Sequence, residues 1–311
     1  MSVEKHIDTA VIPVAGLGTR MAPFTEGIPK FMAPISEGDK SIPNIDYTLN
    51  DCVTAGIKNL VVITSDGGDD VLKRYLGPIS NDRAERYKSL GKMEELEAEV
   101  ARRAVFASMN IECINQPVGK YGTAIPLDDA RPALRGVKYF AVTGGDDFLW
   151  HPLGTSELAL AIEDFKELDT DHLIMGKAVD RPDYGKRSNY GILQLNSEGQ
   201  LAYIDEKPLE EQVPPRPLAN ISRYILQSDM MWPHLDELLA RPRPPKQPEY
   251  YVTDVINAAV AAGQTFGVHR AVGIYCDAGS PKGITKASND INEEIARINN
   301  SGTNLPRSNR V

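Results

Sequence analysis

A glycine-rich turn near the N-terminus carries the residue types that bind polyphosphates. An apolar run beginning at Thr9 leads into Ala15-Gly16-Leu17-Gly18, and Thr19 and Arg20 follow at once. Glycines this close to the end of a strand let bare backbone N–H groups approach a ligand with no Cβ in the way. Lys30 follows later in the same segment. Backbone donors flanked by two cations therefore favour a polyphosphate ligand.

Other interpretations of this turn can be tested against its spacing. A dinucleotide-binding fingerprint needs the pattern Gly-x-Gly-x-x-Gly, but Met21 occupies the position of the third glycine. A Walker A loop needs Gly-Lys-Ser/Thr, which does not follow. An ordinary strand-to-helix turn would use glycine for geometry alone, and the glycines by themselves leave that interpretation open.

Two adjacent carboxylates lie in a second apolar segment, Tyr139 to Leu149, which the pattern predicts to be a strand. Asp146 and Asp147 follow two glycines within it. Unpaired buried charges are costly, so these carboxylates either cap the next turn or bind a cation. Mg²⁺ in nucleotide chemistry is usually held by one or two carboxylates plus substrate phosphates. A magnesium site is therefore one of two expectations for this strand end.

The spacing around the first turn resembles one protein family. The pattern G-x-G-T-R-x-x-P…P-K-x-M-x-P of the sugar-1-phosphate nucleotidylyltransferases is matched by Gly16 to Met21, Pro23, Pro29-Lys30 and Met32 to Pro34. The resemblance extends from about Thr9 to Ala287. It implies an α/β fold, a Rossmann-like three-layer sandwich with a mixed, mostly parallel central sheet. It also implies an enzyme that uses a nucleoside triphosphate and a sugar 1-phosphate.

The resemblance also implies roles for individual residues. The nucleotide would be bound by Ala15, Gly16, Leu17, Gly18, Thr19, Gln116 and Gly122. The sugar phosphate would be bound by Asp147, Gly191, Glu206, Lys207 and Arg223. The catalytic cations would be Arg20, Lys30 and Lys207, and Mg²⁺ would be held by Asp146 and Asp277.

Residue chemistry leaves alternatives at two of these positions. The amide of Gln116 can donate to one atom of a uracil or thymine edge and accept from another, or it can cap loop backbone. Asp277 can serve as the second metal carboxylate, or it can cap the helix predicted from Ser280 to Arg297.

Within the family, the chain resembles the bacterial uridylyltransferases most. The reasons are the long connection Asn81 to Ala107 and the segment Asn50 to Gly56; thymidylyltransferases usually have a shorter connection. The chain departs from its relatives at three places. Gly145-Asp146 replaces a common Pro-Asp, Thr123 stands where His is common, and Ser222 stands where Gly is common. UTP and glucose 1-phosphate are thus the expected substrates and UDP-glucose the product.

Three alternatives to that reaction stay open. They are a thymidylyltransferase, another sugar-1-phosphate nucleotidylyltransferase, and a non-catalytic sensor of nucleotide sugars on the same fold. A sensor would lack a metal carboxylate or a loop cation, whereas Arg20, Lys30, Asp146 and Asp277 are all present. Their presence favours the enzyme.

Strand and helix patterns alternate along the chain, which predicts a parallel sheet with helices on both faces. The predicted strands after the first are Asn59–Ser65, Asn110–Gln116, Tyr139–Leu149, Asp171–Val179 and Leu218–Leu226, with one or two more in Gln264–Ala278. The predicted helices are Pro43–Ala55, Gly68–Leu76, Ser156–Leu168 and Tyr251–Ala262. The connection Asn81–Ala107 reads as one or two amphipathic helices, with Met93, Leu96, Val100 and Ala104 at helical spacing. Either this segment contacts another subunit or forms a lid, or it packs on the sheet edge by that one stripe. We expect one domain over 1–298, with a nucleotide half (1–150) and a sugar half (151–298), and a flexible tail over 299–311.

Composition restricts the partners of the 311-residue chain. A net charge of −9 argues against non-specific nucleic-acid binding, so an anionic substrate needs locally concentrated cations. No apolar run approaches the length of a membrane span, and no signal-peptide core is evident. The three cysteines are scattered, which favours a reducing cytoplasm. A homo-oligomer, either a dimer or a tetramer, is expected.

Overall fold

The computed structural model of the protein describes residues 5–16, 18–65, 67–152, 155–179, 190–244 and 248–301. Apolar runs bounded by turns form its strands, and segments of helical apolar period form its helices. The strands are β1 (Thr9–Pro13), β2 (Pro34–Glu37), β3 (Lys40–Pro43), β4 (Asn59–Thr64), β5 (Asn110–Asn115), β6 (Tyr139–Val142), β7 (Asp147–Trp150), β8 (His172–Ala178), β9 (Gly191–Leu195), β10 (Leu201–Glu206), β11 (Leu218–Gln227), β12 (Phe266–Arg270) and β13 (Ile274–Asp277). The helices are α1 (Asn44–Thr54), α2 (Gly68–Leu76), α3 (Asn81–Ser89), α4 (Met93–Ala107), α5 (Ile125–Ala130), α6 (Glu157–Glu167), α7 (Ser228–Ala240), α8 (Val252–Ala261) and α9 (Pro281–Asn300).

Nine of the strands in these ranges form the central sheet. Along it the order is β10-β9-β11-β6-β1-β4-β5, while β8 pairs with β11 and β12 pairs with β8. β6, β1, β4 and β5 run parallel to one another. β11 runs antiparallel to β6, β8 and β9. The sheet is therefore mixed. In its parallel part β1, β4 and β6 are mostly buried, as such strands usually are, whereas the edge strand β5 is partly exposed.

Two hydrophobic cores lie on the two faces of the sheet. Val11 and Val61 belong to one cluster, whereas Ala10, Ile12 and Leu60 belong to the other. Successive side chains of a strand point to opposite faces, so the alternation places the sheet between the two clusters. Helices α5, α7 and α8 contribute to the first cluster, and α1 and α6 contribute to the second. The expected three-layer α/β sandwich is confirmed.

The predicted single strand over Tyr139–Leu149 is wrong, because the segment forms two strands in different sheets. β6 stays in the central sheet, and β7 leaves it to pair antiparallel with β13. The turn between them needs its glycines. A Cβ on Gly145 would stand 2.1 Å from Val14 Cγ1, and one on Gly144 would stand 1.7 Å from Asp147 Oδ1. This turn, Gly144 to Asp147, is called the acidic turn below, and it can lie directly against the end of β1.

The connection between β4 and β5 forms two helices, α3 and α4, beyond α2. The alternative in which α4 packs on the sheet edge by the stripe Met93, Leu96, Val100 and Ala104 is wrong for three of these four residues. Met93 and Val100 are 44% and 52% exposed, and Ala104 is exposed as well. Leu96 is buried as predicted, together with Phe106. Polar contacts account for the different face: among them, Arg103 donates to carbonyl oxygens at the end of α2, and Arg102 lies 4.2 Å from the centroid of the Tyr75 ring.

The C-terminal helix extends further than the sequence suggested. α9 continues through Asn300, past the expected start of a flexible tail at 299, and residues 302–311 lie outside the described ranges. α9 packs with β2, β7 and β13 in a third hydrophobic cluster that holds the β7–β13 pair in place. None of the helices in the described ranges has the combination of length and apolar character that crossing a bilayer requires.

Candidate active site

A cavity of about 950 Å³ opens where the parallel strands end. Its wall includes Ala15 and Gly16 after β1, Ser65 after β4, Gln116 after β5, and the segment 143–147 after β6. Open α/β sheets place ligands in this crevice outside the carboxyl ends of their strands. The cavity has the size of a typical small-molecule site.

A lysine and an aspartate from distant parts of the chain form an ion pair at this cavity. Lys30 Nζ donates to Asp146 Oδ2, and both residues line the wall. The Lys30 side chain is 11% exposed, whereas that of Asp146 is 44% exposed. Lys30 begins a short 3₁₀ turn after Pro29, which follows the glycine turn. The segment that follows the glycine turn is therefore in direct contact with the acidic turn.

Arg20 and Asp277 complete the charge centre, which we define as Arg20, Lys30, Asp146 and Asp277. A Cβ placed on Gly279 would lie 2.7 Å from Arg20 Nη2, 2.8 Å from Asp277 Oδ1 and 3.0 Å from Lys30 Nζ. The β13 end also joins the acidic turn, since the Ala278 amide donates to the Asp146 carbonyl at 2.9 Å. Two of the three sequence-predicted cations, Arg20 and Lys30, thus lie together with the two predicted metal carboxylates, whereas the third, Lys207, does not join them.

The alternative role of Asp277 as a helix cap is wrong. The residue before α9 is Ser280, and its hydroxyl oxygen accepts the Gly283 amide at 3.1 Å. Asp277 Oδ1 instead accepts the amide of Gly279 at 2.8 Å. Its carboxylate is thereby held beside the two cations.

The carboxylates of the charge centre fit Mg²⁺. No group of three or more histidine, cysteine, aspartate or glutamate side chains could hold a metal within the described part of the chain. Mg²⁺ does not need such a cage, because it keeps several waters and binds through one or two carboxylates plus substrate phosphates. Asp146 and Asp277 supply that donor set of hard oxygens.

The structure places Arg223 in the interior instead of at the cavity wall. It is 2% exposed, and its guanidinium donates to Asp147 Oδ1 at 3.0 Å and to the Asp147 carbonyl at 2.8 Å. Tyr275 donates to Asp147 Oδ2 at 2.7 Å. Burial alone would lower the pKa of the Arg223 guanidinium, but the facing Asp147 carboxylate raises it. Arg223 therefore fixes the acidic turn and cannot contact a sugar phosphate without breaking this pair.

Three of the five predicted sugar-phosphate residues, Gly191, Glu206 and Lys207, lie at the start of β9 and the end of β10, whereas Asp147 and Arg223 do not. A Cβ on Gly191 would stand 2.9 Å from Glu206 Oε2, so the missing side chain leaves room for that carboxylate. Burial raises the pKa of Glu206. Lys207 is exposed, and its Nζ lies 5.5 Å from the Tyr251 ring centroid. This group lies outside the lining of the main cavity, next to its wall at Val252.

Gln116 and Gly122 both line the cavity, as predicted. Burial raises the pKa of the Asp129 carboxylate, and the nearby Gln116 side chain partly offsets that shift. Leu17 lies outside the described residues.

A clasp between two loops was not anticipated from the sequence. Tyr121 and Glu249 form an isolated parallel β-bridge, and burial together with the nearby Glu249 carboxylate raises the pKa of the Tyr121 and Tyr251 phenols. The backbones also pair, with the Tyr250 amide donating to the Tyr121 carbonyl at 2.8 Å. Gly122 is needed there, since its Cβ would stand 2.4 Å from the Tyr250 nitrogen and oxygen.

Thr25 is a second residue that sequence reasoning missed. Its hydroxyl donates to the Gly18 carbonyl at 3.1 Å, and it lines the cavity. Gly18 has a φ of +63°, and the hydrogen bond stabilises the turn in that conformation. The position of Thr25 between Pro23 and Pro29, inside the matched motif, is the sequence feature that could have identified it as a site residue.

Comparison with known proteins gives concordant results. Residues 9–294 match the family model described as nucleotidyl transferase. The chain is 31% identical over 294 residues to a UTP–glucose-1-phosphate uridylyltransferase of Haemophilus ducreyi, covering 89% of this chain and 90% of the relative. It is 29% identical over 298 residues to the enzyme of that name from Escherichia coli K12, covering 92% and 90%. A solved structure of a UDP-glucose pyrophosphorylase complexed with UDP-glucose is similar with a TM-score of 0.73 and 25% identity, over 93% of this chain and 100% of that one.

Proposed function

The chain belongs to the nucleotidyl transferase family, and we propose that it joins UTP to glucose 1-phosphate to give UDP-glucose and pyrophosphate. Relatives of that name at about the same length support the choice of substrates. The observation that carries the proposal is the charge centre: Lys30 and Asp146 pair at the cavity wall, and Arg20 and Asp277 lie beside Lys30 around Gly279. A silent sensor of nucleotide sugars would not need all four.

The reaction needs no protein nucleophile. A phosphate oxygen of glucose 1-phosphate attacks the α-phosphorus of UTP in line, the bond from that phosphorus to the bridging oxygen breaks, and pyrophosphate leaves. Catalysis of such transfers depends on positioning and on stabilising charge. The amides of Gly16 and Gly18 hold the triphosphate. Arg20 and Lys30 stabilise the negative charge that develops on the α-phosphate and the leaving group.

Asp146 and Asp277 would hold Mg²⁺. When bound, the ion supplies neutralisation of phosphate charge without a proton transfer. The task of the protein is to keep two carboxylates beside two cations. The hydrogen bonds from Lys30 to Asp146 and from the Gly279 amide to Asp277 support this arrangement. Arg223 and Tyr275 support it indirectly, because both hold Asp147 in the acidic turn.

The two ends of the site would recognise the base and the sugar. Gln116 and Gly122, on the wall after β5, would face the uracil. Glu206 would accept hydrogen bonds from sugar hydroxyls, and Gly191 would let the sugar approach the backbone. Lys207 would pair with the phosphate of glucose 1-phosphate, which the triphosphate would otherwise repel. Ala15 and Thr19 would contact the nucleotide from the first turn.

Pyrophosphate release tests the proposal. The purified protein would be assayed with Mg²⁺, each of UTP, dTTP, ATP and GTP, and a panel of sugar 1-phosphates. We expect release with UTP and glucose 1-phosphate to exceed every other pair. Preference for dTTP would make it a thymidylyltransferase, and no release with any pair would favour a sensor.

We also propose a homo-oligomer, a dimer or a tetramer. The support is the helical pair α3–α4, which exposes the large apolar side chains Leu90, Met93 and Val100. A subunit contact there would cover them. Light scattering after size exclusion gives the mass, and a monomer at all concentrations would contradict the proposal.

A further inference from the structure

A glycine lies at the point where three charged side chains of the charge centre converge. Gly279 is buried, and no Cβ could be added to it without a collision. The added atom would stand 2.7 Å from Arg20 Nη2, 2.8 Å from Asp277 Oδ1 and 3.0 Å from Lys30 Nζ. These three side chains therefore occupy the space that a side chain at 279 would need.

We propose that Gly279 is a positioning residue for nucleotidyl transfer, because its missing side chain lets both cations approach Asp277 from the same side. The inference rests on the proposed function, in which Arg20 and Lys30 act together on one developing charge. Two cations separated by an inserted methyl group could no longer reach the same phosphate oxygens in the geometry that the free site presents.

The backbone does not explain a glycine here. Gly279 is not among the glycines whose φ lies in the left-handed region, so alanine can adopt its conformation. The nearest atoms to the added Cβ are the ends of long side chains at Arg20 and Lys30 and the carboxylate of Asp277. Such atoms move at little cost to the fold. The steric cost of a side chain at 279 would therefore fall on the charge centre and hardly on stability.

The test is Gly279→Ala, assayed for UDP-glucose formation with saturating substrates. A displacement of about 1 Å in an active site can lower the rate about 10²-fold, and we expect kcat to fall by about that factor. KM for UTP should change much less, because the cations act on charge that develops in the transition state. The melting temperature should stay close to that of the unaltered protein. Activity near the original level would overturn the inference, and so would failure of the variant to fold, since the colliding groups would then not be free to move.

Gly267→Ala is the matched control, because its collisions lie in the core. Its Cβ would stand 2.7 Å from Leu168 Cδ1 and 2.9 Å from Thr170 Oγ1, away from the charge centre. We expect the opposite result: a lower melting temperature with kcat of the folded enzyme retained. If the two variants lost kcat alike, Gly279 would have no special role. If the unaltered protein gave no UDP-glucose, the proposed function itself would fail, which is a distinct outcome.

Double-mutant cycles test whether Gly279→Ala lowers kcat by displacing Arg20 and Lys30. Gly279→Ala is combined with Arg20→Ala and, separately, with Lys30→Met. If Gly279 acts by placing these cations, its alanine variant costs less kcat once a cation has already been removed. Fold-losses that multiply fully in both cycles would overturn the inference.

Discussion

Replacing Lys30 by Met removes one charge from the charge centre and keeps most of the side-chain volume. The ammonium lies at the cavity wall in contact with Asp146, with only 11% of the side chain exposed. Two unit charges 4 Å apart interact by about 4 kcal/mol at an effective dielectric constant of about 20. Charge on the leaving group changes only in part between ground and transition state. The differential loss is thus below that figure, about 3 kcal/mol, similar to the loss of one oxyanion-hole donor.

That loss corresponds to a decrease in kcat of about 10²- to 10³-fold. Stability should change by less than about 1 kcal/mol, because Asp146 is 44% exposed and can stay hydrated without its partner. The assay is steady-state pyrophosphate release with saturating Mg²⁺, UTP and glucose 1-phosphate, beside urea unfolding. Lys58→Met is the control, since this exposed lysine precedes β4, at the end of the strand opposite to the cavity. A Lys30→Met rate within threefold of the original would refute the reasoning.

Three further predictions follow from the contacts of single residues. Asp146→Asn should weaken UTP-dependent Mn²⁺ binding, measured by electron paramagnetic resonance, and lower turnover about 10²-fold; unchanged Mn²⁺ binding would remove Asp146 as a ligand. Arg223→Met should lower the free energy of unfolding in urea by about 3–5 kcal/mol, because it leaves the buried Asp147 unpaired, whereas the exposed Arg241→Met should have little effect. Burial opposes ionisation of Glu157, but hydrogen bonds from His151, His269 and two backbone amides hold its pKa below the usual 4.5. Its contribution is therefore present above about pH 4.5 and is lost as the pH falls toward the folded pKa, so the stability deficit of Glu157→Gln should be largest near neutral pH and shrink in acid; a deficit independent of pH would contradict this.

The sequence predicted the elements whose signals are local. The apolar runs before Gly16 and Gln116 became β1 and β5, and α2 has the predicted bounds, Gly68 to Leu76. The matched motif also indicated the residues of the charge centre. Periodicity and short motifs suffice where a strand is buried on both faces or a turn needs glycine.

Contacts between distant segments were beyond that reasoning. Nothing in the residues near Tyr139 showed that β7 would leave the sheet, because its partner β13 lies more than a hundred residues later. Arg223 looked like a substrate-binding cation until its pairing with Asp147 was visible. The buried face of α4 follows arginine contacts that an apolar stripe does not encode.

Gly279 shows the same limit for the site. A glycine after Asp277 reads as part of a turn, and its proposed importance depends on Arg20 and Lys30, which come from the other end of the chain. Likewise, the clasp at Glu249 joins loops whose members lie far apart in sequence. Packing of this kind follows from the tertiary fold and not from local pattern.

The central claim is that glucose 1-phosphate attacks the α-phosphorus of UTP directly within the charge centre. Its most direct test uses UTP made chiral at the α-phosphorus by a sulfur substituent, with the configuration of the resulting thio-UDP-glucose determined by ³¹P NMR. One direct in-line attack predicts inversion at the α-phosphorus. Retention, which requires two displacements through a covalent enzyme intermediate, would contradict the account.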